Sequence, residues 1–216
     1  MSVVIFDLDG TLIDSAPDIH AASNRVLAED GLPPLSFDQV RSFIGKGVPH
    51  LVARLLDASG EAADGPRHAA MVARFTAGYE DAVGLTRPYP GVLDALDALA
   101  GRRLGICTNK PLAPTLAVLR HLGMEARFAA ILGGDSLPVR KPDPAPLLAT
   151  RERLGGGPVV YVGDSEVDAQ TAAAAGLPFA LYTRGYRHTP VADLPHDAAF
   201  DDFAELPGIV ARLLRG

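Results

Sequence analysis

Five short apolar runs set the frame of this chain: residues 3–6 (VVIF), 104–107 (LGIC), 129–132 (AAIL), 159–162 (VVYV) and 179–182 (FALY). Each is continuous rather than alternating, and each is closed by Asp, Thr or Gly. A strand with one wet face alternates apolar and polar residues. A continuous run of this length suits a strand covered on both faces, as in a parallel sheet. Between the runs lie helical patterns at 91–100, 112–122, 144–154 and 166–175, each opened by a proline or serine and closed by a glycine. Strands alternating with helices predict an α/β fold, a doubly wound parallel sheet with helices on both faces.

The alternation breaks once. After the first run no second strand pattern appears until residue 104, and helix-like segments fill the gap near 17–30, 36–43, 48–58 and 67–83. Pro33-Pro34, Gly60, Gly65 and Pro66 punctuate them, and Arg87-Pro88-Tyr89-Pro90-Gly91 leads back to the sheet. The expected organisation is a core of residues 1–14 and 85–216 with an α-helical cap inserted at 15–84. An insert joined by two connections can open and close over the strand ends.

Composition narrows the function. With 48% apolar residues, the 216-residue chain can bury a real core. No stretch is long and apolar enough to span a bilayer. The net charge of −6 argues against nucleic acid as a partner. Cys107 is the single cysteine, without a disulfide partner or companion zinc ligands, and the beginning of the chain has no secretion signal. These features lead us to expect a cytoplasmic protein with no membrane association. Six histidines show no metal-ligand spacing. Arginine outnumbers lysine 17 to three, which makes Lys46, Lys110 and Lys141 candidates for sites that need a compact positive charge.

Ligands of open α/β sheets bind beyond the carboxyl ends of the strands. There the sequence sets Asp7 and Asp9, then Thr108, Asn109 and Lys110, then Lys141 in a loop, then Asp164 with Asp168 one turn on. Asp7 and Asp9 fall on one side of an extended chain, where two carboxylates repel. Several carboxylates in one cleft call for a cation, and an oxygen-only donor set suggests Mg²⁺ rather than zinc. Thr108, backbone N–H groups and lysine are phosphate ligands by type. The bland readings stand beside these. Asp7-Leu8-Asp9-Gly10 is also a turn sequence, Ser165–Asp168 fits a helix capping box, Lys110 fits a salt bridge at the site's edge, and Cys107 fits core packing.

DLDGTLIDS (7–15), TNK (108–110), KPDP (141–144) and GDSEVD (163–168), in that order, resemble the four motifs of the haloacid dehalogenase superfamily, and the resemblance runs over the whole chain. Together with VRSFIGKG (40–47), PYPGV (88–92) and RGY (184–186), they look most like the branch that hydrolyses 2-phosphoglycolate. The resemblance implies Asp7 as nucleophile and Asp9 as general acid and base. Asp7, the backbone carbonyl of Asp9 and Asp164 would hold Mg²⁺. Lys141 would neutralise phosphoryl oxygens, with Thr108 and the N–H groups of Asn109 and Gly10 as further donors. Asp168 would stand behind the metal and Lys141, and Lys46 of the cap, or else Arg41, would meet the substrate's carboxylate. The implied substrate is a small phosphorylated metabolite and the implied assembly a monomer or homodimer. Alternatives at this stage are a sugar phosphomutase, a phosphatase of another small ester, or a non-catalytic phospho-ligand binder.

Overall fold

A computed structural model describes residues 1–215. The chain enters through β1 (Val3–Phe6) and a short β2 (Ile13–Asp14). It continues through α1 (Ala16–Glu29), α2 (Phe37–Arg41), α3 (Val48–Ala58) and α4 (Gly65–Ala77), and returns through β3 (Arg87–Pro88), which pairs with β2 in an antiparallel ribbon. The remainder alternates: α5 (Val92–Ala98), β4 (Arg103–Cys107), α6 (Leu112–His121), β5 (Ala130–Leu132), α7 (Ala145–Arg153), β6 (Val159–Gly163), α8 (Glu166–Ala175), β7 (Phe179–Tyr182), β8 (Ala198–Phe200) and α9 (Leu206–Leu213). Six strands form one sheet in the order β5-β4-β1-β6-β7-β8, every pairing parallel. The doubly wound parallel sheet read from the apolar runs is the fold observed.

Both faces of the sheet are covered, which explains the continuous runs. Val4 and Phe6 of β1, Val160 and Val162 of β6, and Ala180 and Tyr182 of β7 join the core on one side, with Leu96 of α5 and Val210 of α9. Their neighbours Val3, Ile5, Tyr161 and Leu181 point the other way, onto Leu147 of α7 and Ala172 of α8. Period-two alternation therefore persists, but it sorts side chains between two dry layers. Helices α1 to α4 carry a separate core that includes Val26, Val52, Leu55 and Phe75.

Three features escaped the sequence reading. The ribbon β2–β3 is two residues long on each side, too short for any periodicity. The sixth strand, β8, contains Ala198, Ala199 and Phe200, and alanine carries little strand signal. Helix α4 ends at Ala77 rather than running to 83, so Gly78 and Tyr79 form a turn. No helix among the described residues is long and apolar enough to cross a membrane.

Candidate active site

The central strand delivers the first acid. The amide of Asp7 still bonds to the carbonyl of Val162, 2.9 Å away, so its backbone is fixed by the sheet while its carboxylate emerges at the strand end. A tight turn follows, with Leu12 and Ile13 both donating back to Leu8. Gly10 takes a φ of 85° there, and a Cβ on it would lie 2.6 Å from Asp164 Oδ2. Only glycine lets the turn approach the neighbouring strand end so closely.

Asp7, Asp164 and Asp168 are all buried and bring one carboxylate oxygen each within 4.8 Å of the others. Lys141 comes from the loop after β5 and is buried as well. Its Nζ lies 2.7 Å from Asp168 Oδ1, 3.0 Å from Asp7 Oδ1 and 2.9 Å from the hydroxyl of Tyr161. Asp168 is fully engaged. Its Oδ1 also accepts from Tyr161, and its Oδ2 accepts from the Ser165 hydroxyl and amide at the start of α8. With both oxygens committed, Asp168 holds Lys141 in place and is not itself free to ligate an ion. The expected capping box is present and also orients this carboxylate.

One lysine among three buried carboxylates leaves excess negative charge. Burial pushes the Asp7 carboxyl up to about 7 against the pull of Lys141. Burial also pushes Asp164 well up, with Asp168 and Asp7 adding to it. Burial opposes ionisation of Asp168 too, but the Lys141 ammonium and the hydrogen bonds from Ser165 and Tyr161 together outweigh it and hold Asp168 below its ordinary value. Among the described residues, none gives Asp7 Oδ1 a hydrogen bond of good geometry, although the Lys141 ammonium sits beside it. Asp164 accepts one bond on each oxygen, from Thr11 Oγ1 at 2.7 Å and from the Tyr186 amide at 2.6 Å, leaving lone pairs on both. Among the described residues, nothing in the protein donates to the backbone carbonyl of Asp9. A buried, oxygen-only and over-charged donor set of this kind fits a hard divalent cation.

Asp9 stands outside that group. Its Oδ1 accepts from Ser15 Oγ at 2.6 Å and faces Lys110 Nζ at 3.4 Å. Asp7 and Asp9 thus begin on one side of the chain and end in different surroundings, one in the carboxylate cluster and one on the wall of the cavity.

The sequence profile of the haloacid dehalogenase-like hydrolases matches residues 1–176. The chain is 55% identical to the phosphoglycolate phosphatase of Cereibacter sphaeroides, over 99% of its own length and 100% of that protein's. It is 47% identical to the phosphoglycolate phosphatase of Rhodospirillum rubrum, over 94% of this chain and 88% of the other. The crystal structure of a predicted phosphoglycolate phosphatase from Haemophilus somnus superposes with a TM-score of 0.89 at 34% identity, covering 96% of each chain.

This chain belongs to the haloacid dehalogenase-like hydrolases. It is an enzyme of the phosphoric monoester hydrolase kind.

In this hydrolase the remaining candidates divide. Thr108 and Asn109 line the cavity with Asp7 and Asp9; the Asn109 side chain donates to the Gly45 and Lys141 carbonyls, and its backbone N–H has no protein partner among the described residues. Gly10 does not fit the expected donor role, because its amide is bonded to the Ile13 carbonyl at 2.9 Å. Its contribution is the absence of a side chain against Asp164. Lys46 is exposed and borders a neighbouring hollow with His50 and Glu166, while Gly45 and Gly47 on either side of it line the cavity. The loop's backbone faces the site and its lysine does not. Arg41 is spent on tethering: it donates to the Gly185 carbonyl at 2.9 Å and lies 5.3 Å from the centre of the Tyr186 ring.

Sequence reasoning gave no role to the side chains of Tyr161, Tyr186 and Thr11, although its motif stretches hold the last two, and it left Lys110 open. Tyr161 carried a signal, a hydroxyl in the middle of an otherwise dry strand. Tyr186 lies in the RGY stretch, but nothing local tells what it reaches: its hydroxyl accepts from the amides of Ser15 and Ala16, 171 and 170 residues away in sequence, and donates to Asp14.

Proposed function

We propose that this hydrolase cleaves 2-phosphoglycolate to glycolate and phosphate through an aspartyl-phosphate intermediate, with Mg²⁺ as its cofactor. The observation that carries the reading is the contrast between Asp7 and Asp9. Asp7 is buried against Lys141 at the carboxyl edge of the sheet, with one oxygen lacking a well-aligned donor. Asp9 sits two residues on, beside the same cavity but outside the carboxylate cluster.

In this reading an Asp7 oxygen attacks phosphorus and the bond from phosphorus to the ester oxygen breaks. Asp9 delivers the proton that the departing oxygen needs, then takes one from the water that attacks the phosphoryl-enzyme and frees Asp7. Lys141 offsets charge on the phosphoryl oxygens and on Asp7, while Thr108 and the backbone N–H of Asn109 offer further donors at the cavity wall. Asp7, Asp164 and the Asp9 carbonyl would hold the Mg²⁺, which would supply further positive charge to the phosphoryl group. Residues 15–84 act as the lid. Phe43, Val48 and Leu51 place apolar surface over the site and keep bulk water from the reacting group. The relatives named above support the choice of 2-phosphoglycolate.

The test is phosphate release from a panel of small phosphoesters, with Mg²⁺ and with a chelator. The expected result is metal-dependent turnover with 2-phosphoglycolate preferred. In parallel, Asp7→Asn should abolish turnover while melting as a folded protein. Near-normal turnover by that variant would remove Asp7 as the nucleophile.

A further inference from the structure

Lys110 is a buried ammonium that the reaction described above does not use. It lies three residues past the end of β4, beneath the cap, with a side chain that is almost wholly inaccessible. Its partners are incomplete. The distances to Asp9 are 3.4 Å and 3.5 Å, well beyond the roughly 2.7–2.9 Å of a good charge-assisted hydrogen bond. Its one short contact is to the hydroxyl of Tyr79 at 2.6 Å, and the ammonium also lies 3.9 Å from the centre of that ring. An ammonium has three donors, so at least one remains without a strong acceptor. Burying a charge so loosely paired is costly. Lys141, by contrast, is closed in by two carboxylates and a tyrosine.

Tyr79 completes the picture from the cap side. The turn that ends α4 at Ala77 drops this residue into the cavity wall, where its oxygen accepts from Lys110. Among the described residues, the hydroxyl has no protein acceptor for its own proton, and burial keeps it protonated. Two donors, one charged, thus face the same space. Lys110 is the only cation among the described residues that line this cavity.

The chemistry of a small phosphoester fixes what belongs there. If Asp9 protonates the ester oxygen, that oxygen lies within hydrogen-bond reach of the Asp9 carboxyl. In 2-phosphoglycolate a single methylene separates the ester oxygen from the carboxylate. A substrate seated on Asp7 and Asp9 therefore has its second anion one carbon beyond Asp9, and the cation beside Asp9 is Lys110.

We propose that Lys110, with the Tyr79 hydroxyl, binds the substrate's carboxylate and sets the preference for a carboxylated phosphoester. The proposal rests on the 2-phosphoglycolate reading above. It moves the specificity group from the exposed Lys46 to a buried pair formed by one core residue and one cap residue. Because Tyr79 belongs to the cap, the pair exists only when the cap lies over the core, so a carboxylated substrate favours the closed arrangement.

The experiment compares kcat/KM for 2-phosphoglycolate and for ethyl phosphate, which has the same two-carbon length without the carboxylate. Wild type, Lys110→Met and Tyr79→Phe are measured, with melting curves to confirm folding. Tyr79→Phe keeps the ring packing, so it tests the pair even where Lys110→Met folds poorly. In Lys110→Met the preference ratio should fall about 10- to 100-fold, the scale of a lost hydrogen bond to a charged group. In Tyr79→Phe it should fall several-fold, in the same direction. Equal losses on both esters in the two variants would overturn the proposal and make Lys110 a positioning residue for Asp9. A wild type that cleaves both esters alike would overturn the substrate reading, and any carboxylate role with it. A wild type that prefers 2-phosphoglycolate, joined to variants that keep that preference, would overturn the role of the pair alone.

Discussion

Asp9 receives a short hydrogen bond from Ser15 Oγ at 2.6 Å, faces Lys110 at longer range and stays clear of the Asp7–Asp164–Asp168 group. If it carries the proton for the leaving oxygen, Asp9→Asn should slow turnover about 10²–10⁴-fold, the usual scale of acid–base catalysis, with little change in melting temperature. A loss below tenfold would make it a turn residue only. A second prediction concerns Cys107, the last residue of β4. Burial pushes its thiol up to about 12, so at neutral pH it remains the unreactive thiol. Iodoacetamide should leave the native chain unmodified by mass and add one label in denaturant; rapid native labelling would contradict the packing described. The legible residues, Asp7, Asp9, Lys141 and Asp164, were those whose chemistry is unusual next to an apolar run. Lys46 and Gly10 were legible as types but not in direction. A lysine between two glycines can face either way, and an amide's availability depends on which carbonyl the turn brings to it.

Helix α8 links element to site. Ser165 caps it, and Asp168 one turn on returns a bond to the cap and holds Lys141 from its other oxygen. Ser165→Ala should therefore cost about 1 kcal/mol of stability, as for other lost N-caps. It should also lower turnover, because Asp168 would keep its grip on Lys141 with fewer constraints of its own. A chemical-denaturation series and steady-state rates would check both; a stability loss with unchanged turnover would confine Ser165 to the helix. The sequence pattern of this segment, Ser-x-x-Asp before an alanine-rich run, was enough to find the helix. The strands were legible for a related reason: burial on both faces demands continuous apolar runs. What stayed hidden were elements too short or too plain for a pattern, namely β2, β3 and β8, and the end of α4. Gly78 follows α4 as a glycine stop would, but the helical pattern of the sequence runs on past it, and only the observed turn fixes the end. That early end is what frees Tyr79 to reach Lys110.

At the scale of the whole molecule, two connections join the helical segment to the sheet, and Asp18 of α1 accepts from the Thr86 amide at 2.7 Å and hydroxyl at 2.6 Å where the chain returns. The carboxylate cluster lies in the core below, so the folded state has to contain its repulsion without a loose chain to relieve it. Its cost depends on pH. In the unfolded chain Asp7 is an ordinary carboxylate, titrating near 3.8, whereas burial raises it to about 7 in the metal-free fold. The fold therefore takes up a proton, and the stability this contributes is fully present below about pH 4 and lost as the pH rises toward 7. Asp164 moves in the same direction. Asp168, held down by Lys141, works the opposite way, and its contribution is lost only in acid. A divalent cation on Asp7 and Asp164 competes with those protons, so it should bind poorly at pH 5 and well at pH 8. At a hundredfold excess over its Kd the cation adds about 2.7 kcal/mol, or roughly 5–10 °C for a chain of this size. Thermal melts with and without Mg²⁺ should show that gain at pH 8 and much less at pH 5. Asp7→Asn carries no negative charge into the buried cluster, so it should melt at a higher temperature than the metal-free wild type at pH 8 and respond weakly to Mg²⁺ at either pH. Equal gains at both pH values would mean that the ion binds away from this cluster.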